Sequence, residues 1–189
     1  MKFILNKFPE DKSFDPNEEW TPLKESTNLW MVQLQALPFM AINILLVLIP
    51  LWLMGLSFKL NVYLFPLSFI LFAPFHELIH ALFFPEGLSS NNVYFGFTTK
   101  GFAPFAAYTG EMKRNTFILS LLAPFVIISL LGYAYLILFG DNNLIKHIIV
   151  INALGACADC LGIYLIGTQV PNNAIVRNKG IKTFWRINS

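Results

Sequence analysis

Four stretches of the chain, residues 37–57, 62–84, 116–139 and 147–169, are apolar enough to lie in hydrocarbon, and polar or charged stretches separate them. Each has the roughly 20 residues that a helix needs to cross a layer about 30 Å thick. The pattern predicts an all-α integral membrane protein, a four-transmembrane-helix bundle. Between the second and third spans the helical pattern stops. Val93, Tyr94, Phe95, Gly96 and Phe97 alternate weakly, residues 98–101 offer a turn, and residues 102–108 resume an extended, aromatic-rich composition. That stretch reads as a small β-hairpin or re-entrant loop with Pro104 marking its second arm as an edge, or as an amphipathic loop resting its rings at the interface. The chain then divides into a cytoplasmic or interfacial segment (residues 1–36), the four-span membrane domain (37–169) and a basic cytoplasmic tail (170–189).

Composition narrows the class further. The chain is 56% hydrophobic and 13% charged, against a usual charged share of about 25%, which excludes an ordinary soluble domain and a disordered chain. A net charge of +2 is too small to imply a nucleic-acid partner, and no base-reading or phosphate-binding motif is present. The apolar run over residues 1–5 is too short for a secretory signal, and Pro9, Asp11, Asp15 and Glu18 follow it. Cys157 and Cys160 both fall within an apolar span, where cysteine behaves as a small apolar residue, so they define no disulfide framework.

Charge asymmetry sets the orientation. Lys2, Lys7, Lys12 and Lys24 precede the first span, Lys100, Lys113 and Arg114 lie between the second and third, and Arg177, Lys179, Lys182 and Arg186 follow the fourth, leaving only Lys59 and Lys146 on the other side. The positive-inside rule makes both termini and the central loop cytoplasmic in a multi-pass cell-membrane protein. An assignment with three spans and a buried re-entrant segment would put the tails on opposite sides and lose this pattern.

One of the spans carries chemistry. His76, Glu77 and His80 form the pattern H-E-x-x-H, and ionisable groups inside a span are expensive enough that a cluster of them is read as a functional site. Residues four apart share a helix face, so both imidazoles can bind one Zn²⁺, while Glu77, beside that face, can take a proton from a bound water. The span runs from outside to inside, which places His80 about 6 Å and His76 about 12 Å from its cytoplasmic end. The site belongs to the cytoplasmic half of the bilayer. Pro74 removes a helical hydrogen bond just before His76, either opening space there or sitting as an ordinary membrane-helix proline.

A catalytic zinc site usually has a third protein ligand. Asp159 is the only acidic residue within the other three spans and lies at a matching depth, so it is the candidate, its alternative being a lone aspartate hydrogen-bonded in the bundle. Gly155, Ala156, Ala158 and Gly162 around it let helices approach closely. Asn152, seven residues before Asp159, can hold a carboxylate behind the ligands, bind substrate backbone, or act as interhelical glue. Phe95, Gly96 and Phe97 are the other candidates for contacting substrate, by strand addition.

These residues together resemble the site-2-protease type of intramembrane zinc metalloprotease, and more closely the small bacterial membrane proteins grouped as a putative zincin peptidase family. The resemblance spans residues 62–183: the helix with His76, Glu77 and His80, the Tyr94-Phe95-Gly96-Phe97 strand, Leu121-Leu122-Ala123-Pro124-Phe125, and the Asn152 to Asp159 helix. It implies His76, His80 and Asp159 as zinc ligands and Glu77 as catalytic base. Site-2 proteases usually carry Asn…Pro…Leu-Asp-Gly around the aspartate, whereas Asp159 here is followed by Cys160 and no proline precedes it in the helix. The expected function is hydrolysis of peptide bonds in a membrane-protein or signal-segment substrate. The rival reading is a metal-binding scaffold that holds a partner segment without cleaving it.

Overall fold

The computed structural model describes residues 2–17, 19–99 and 103–187. Two short strands, β1 (Lys2–Leu5) and β2 (Thr21–Pro22), precede the first helix, α1 (Leu29–Leu53). Asn28 begins that helix: its side-chain oxygen accepts the Trp30 N–H at 3.0 Å, satisfying an amide that has no intrahelical partner. The helix therefore starts well before residue 37, because Gln33 and Gln35 dilute the apolar signal of its first turns without breaking them. Helix α2 (Leu64–Leu82) runs unbroken through Pro74. It is followed by β3 (Val93–Thr98), β4 (Ala103–Tyr108) and β5 (Met112–Lys113), then by α3 (Arg114–Phe139).

The fourth span is two helices, α4 (Asn143–Gly155) and α5 (Cys157–Gln169), with a single-residue turn at Ala156 between them. Asn142 caps α4 by accepting the Leu144 and Ile145 N–H groups at 3.0 and 3.2 Å. Near the break the Ala153 carbonyl is taken by the Asn43 amide of α1 at 3.2 Å. Strands β6 (Ala174–Lys179) and β7 (Lys182–Ile187) close the chain.

Four helical segments are long and apolar enough to cross a membrane, counting α4 and α5 together. Their outward faces carry large exposed apolar side chains such as Leu45, Leu46, Trp52, Ile70, Leu131 and Leu138, the surface a lipid-facing bundle needs. Helix α4 packs on α1, α2 and α3, and α5 packs on α1 and α3. Ile149 and Ala153 are fully buried at this junction, within a cluster that includes Val47, Leu51 and Leu136. A side-chain carbon on Gly132 would come within 2.5 Å of Ile149, so only glycine lets α3 meet α4 at that distance.

The fold is not all-α. Strands β1, β3 and β4 form one sheet, with β1 parallel to β3 and β4 antiparallel to it; β2, β7, β6 and β5 form a second, antiparallel sheet. The expected hairpin is β3–β4, with β4 at the sheet's edge, and its turn falls partly on residues 100–102, outside the described residues. The N-terminal segment and the basic tail also contain strands: β1 and β2 pair with β3 and β7, distant in sequence, while β6 and β7 form a local hairpin whose β6 also pairs with β5. Asp11 and Glu19 meet Arg177 and Arg186 at 2.6 and 3.6 Å, and the Arg177 guanidinium lies over the Phe14 ring at 4.2 Å. Pairing of β1 with β3 and of β2 with β7 holds both ends of the chain and the central segment at one end of the bundle.

Candidate metal centre

One turn of α2 carries His76 and His80 on the same face, with ring centroids 4.8 Å apart. The turn at Ala156 starts α5 against that face, and Asp159 lies in the first turn of α5. Asp159 Oδ2 is 3.2 Å from His76 Nε2 and 3.6 Å from His80 Nε2. One ligand atom from each of the three lies within 4.8 Å of the others, a grouping that could hold a metal ion. Both imidazoles are buried.

The rings are oriented from behind. His80 Nδ1 lies 2.7 Å from the Ser120 carbonyl, which can only accept, so Nδ1 carries the proton and Nε2 keeps its lone pair. His76 Nδ1 lies 3.0 Å from Asn152 Oδ1. The Asn152 amide nitrogen is surrounded by the Pro124 and Phe125 carbonyls and Ser129 Oγ at 3.2–3.3 Å, which turns the amide oxygen toward His76 and makes His76 Nδ1 the donor too. Both Nε2 lone pairs therefore face Asp159. Two neutral imidazoles and one carboxylate, with a backing hydrogen bond on each ring, form a donor set that fits Zn²⁺.

The three side chains and Glu77 line a cavity of about 430 Å³. Its walls come from the first turns of α1, from α2, α3 and α5, from β4, and from the N-terminal segment with Glu25 and the β6–β7 hairpin with Thr183. The Ala106 backbone N–H of β4 is directed at the Glu77 carboxylate.

The residues named for substrate contact lie elsewhere. Asn152 is completely buried behind His76 and does not line the cavity, its amide being used by α3 and the imidazole. Phe95, Gly96 and Phe97 lie in β3, the middle strand; the cavity is lined instead by the neighbouring residues 104–108 of β4. Gly96 has a structural reason, since a side-chain carbon there would meet Phe105 at 2.4 Å and the Ile4 carbonyl at 2.5 Å. His147 lies in the first turns of α4, at the end remote from Asp159, donating from Nδ1 to the Asn143 carbonyl at 2.6 Å and accepting the Asn61 N–H at 2.9 Å. Cys157 and Cys160 are free, and Cys160 Sγ contacts Asn43 at 3.5 Å. Sequence reasoning missed Ser120 and Ala106, because each acts through a backbone group, a carbonyl and an N–H, that residue identity does not report.

Residues 69–175, more than half of the chain, match the family described as "Putative zincin peptidase". No curated protein and no solved structure matches the chain. The matched region contains His76, Glu77, His80, Asn152 and Asp159, and it makes zinc the metal implied for the three-residue group. On that match, more than on any single residue, the chain belongs to the zincin peptidase family so described.

Proposed function

We propose that the protein is an intramembrane zinc metalloprotease in which His76, His80 and Asp159 hold the metal and Glu77 is the catalytic base. The observation that carries this reading is the convergence of two imidazole Nε2 atoms and Asp159 Oδ2 on one point beside Glu77, at the wall of a cavity. A Zn²⁺ ion bound there supplies a Lewis acid that polarises the scissile carbonyl and acidifies water. Glu77 takes the proton of the attacking water and returns it to the leaving nitrogen. Asn152 and the Ser120 carbonyl keep both rings in the liganding tautomer through this cycle.

Substrate placement follows from β4. Its outer edge has no strand partner among the described residues, and residues 104–108 face the cavity. An unwound substrate segment adds to that edge in the extended form that hydrolysis requires. Pro104, which lacks an N–H, is tolerated at an edge. The substrate is then a membrane-protein or signal segment.

Eleven of the thirteen Lys and Arg residues lie in segments at the sheet-bearing end of the bundle or in the loop that joins its strands, with Lys59 and Lys146 at the other. This supports a cytoplasmic location for both termini and a site in the cytoplasmic half of the bilayer. The test is cleavage of an apolar peptide by the chain reconstituted in vesicles, wild type against Glu77→Gln. A protease loses turnover while keeping its zinc; cleavage unchanged by Glu77→Gln would reject the assigned base, and no cleavage by either would favour the scaffold reading.

A further inference from the structure

Of the carboxylates and imidazoles that line the cavity, Glu25 is the one the proposed chemistry does not use. It lies in the stretch between β2 and α1 and is half-buried. One of its carboxylate oxygens accepts the Thr183 N–H of β7 at 2.5 Å, while the Leu23 N–H bonds to the Thr183 carbonyl at 2.9 Å, so the side chain and the backbone just before it are anchored to β7. Among the described residues no Lys, Arg or His forms an ion pair with it, and no Lys or Arg lines the cavity.

The charge balance of the cavity gives this carboxylate a role. With both imidazoles neutral, the two charges of a bound Zn²⁺ are offset by Glu77 and Asp159, and Glu25 is left as one uncompensated negative charge. Burial pushes its carboxyl group above the ordinary glutamate value, with the hydrogen bonds from Thr183 opposing. A carboxylate partly stripped of water and lacking a cation gains most when a cation arrives with the ligand.

We infer that Glu25 is a specificity residue that receives a Lys or Arg side chain of the segment bound in the cavity. This rests on the peptidase reading and adds the substrate's chemistry to it. Membrane segments carry Lys and Arg on their cytoplasmic flank, and Glu25 lies at the sheet-bearing end of the bundle, where that flank would stand. A substrate with Asp or Glu in the same place would meet an unpaired like charge.

The test uses the zinc-loaded Glu77→Gln chain in detergent and a set of labelled apolar peptides in which a single Gln is replaced in turn, position by position, by Lys. Fluorescence anisotropy is expected to show one or two adjacent positions where Lys binds about tenfold tighter than Gln. Adding Glu25→Gln removes that gain with zinc content unchanged, and Glu25→Lys transfers the preference to Glu at the same position. A Gln at residue 25 still accepts the Thr183 N–H, so a purely structural role predicts no change in preference. Absence of any Lys preference, absence of peptide binding, or a preference that survives Glu25→Gln would overturn the inference. A Lys preference in binding, with no hydrolysis by the wild-type chain, would instead contradict the protease reading alone.

Discussion

Asn152 Oδ1 accepts a hydrogen bond from His76 Nδ1 at 3.0 Å, and this contact joins α4 to the face of α2 that carries both imidazoles. The asparagine spends its remaining hydrogen-bonding capacity on α3, through Pro124, Phe125 and Ser129. It is therefore both the glue of three helices and the group that selects the His76 tautomer. Replacing it by Leu frees the ring to put its proton on Nε2. Zinc affinity is expected to fall about 10–100-fold, read by competition with a fluorescent chelator, while helical content by circular dichroism stays near wild type. Unchanged affinity would mean that His76 does not bind metal through Nε2.

Gly96 tests the sheet that carries β4. A methyl group there would contact Phe105 and the backbone of β1 at less than van der Waals distance, and the backbone cannot yield as a flexible side chain would. Gly96→Ala is expected to cost about 1–3 kcal/mol by overpacking. Peptide turnover should fall further than zinc content, because the proposed metal ligands sit on helices. Equal losses of both would detach β4 from substrate placement.

Arg177 ties the N-terminal segment to the C-terminal hairpin. It pairs with Asp11 at 2.6 Å, stacks on Phe14, and donates to the Thr109 carbonyl at 3.0 Å from a position that is mostly shielded from water. Arg177→Met keeps much of the apolar stem and removes the charge, at a cost of about 2 kcal/mol. Limited proteolysis should then cut within residues 6–28 before any other segment; cleavage elsewhere first would contradict this anchoring.

Much of this was legible in the sequence, and the rest was hidden for a physical reason. Hydropathy locates the four spans because helices satisfy their backbones locally and need no knowledge of their neighbours. His76, Glu77 and His80 are legible for the same reason, since a spacing of four on one helix is a local fact. Asp159 was reachable because carboxylates inside spans are rare. Strands β1 and β2 were not legible, because they pair with β3 and β7, distant in sequence, as Thr21 does with Trp185, and no local period reports that; β6 and β7 form a local hairpin around Gly180 that the reading of residues 170–189 as a basic tail passed over. The start of α1 could have been found from Asn28, a helix-capping residue ahead of an apolar run. Asn152 was noticed, but sequence could not show which neighbour it would serve.

Acid should loosen the segment between α2 and β3. The hydroxyl of Ser90, the Tyr108 hydroxyl at 2.8 Å and the Asn92 amide all donate to the Glu86 carboxylate, which holds its pKa below the ordinary 4.5, the Ser90 contact first. The folded-state value is depressed, so the stabilisation is present above the ordinary value and is lost as pH falls through the lower one. The amide protection factors of residues 86–92 should fall as pH drops below the ordinary glutamate value, and Glu86→Gln should remove that acid dependence. An acid response that persists in the variant would assign it to another group.

In the proposed site two transmembrane helical segments share one zinc ion through His76, His80 and Asp159. Zinc content of the detergent-purified chain tests it most directly, comparing wild type with His76→Ala and Asp159→Ala after dialysis against a weak chelator. The expected result is stoichiometric zinc in the wild type and loss of most of it in both variants. Stoichiometric zinc retained by both would contradict the ligand set.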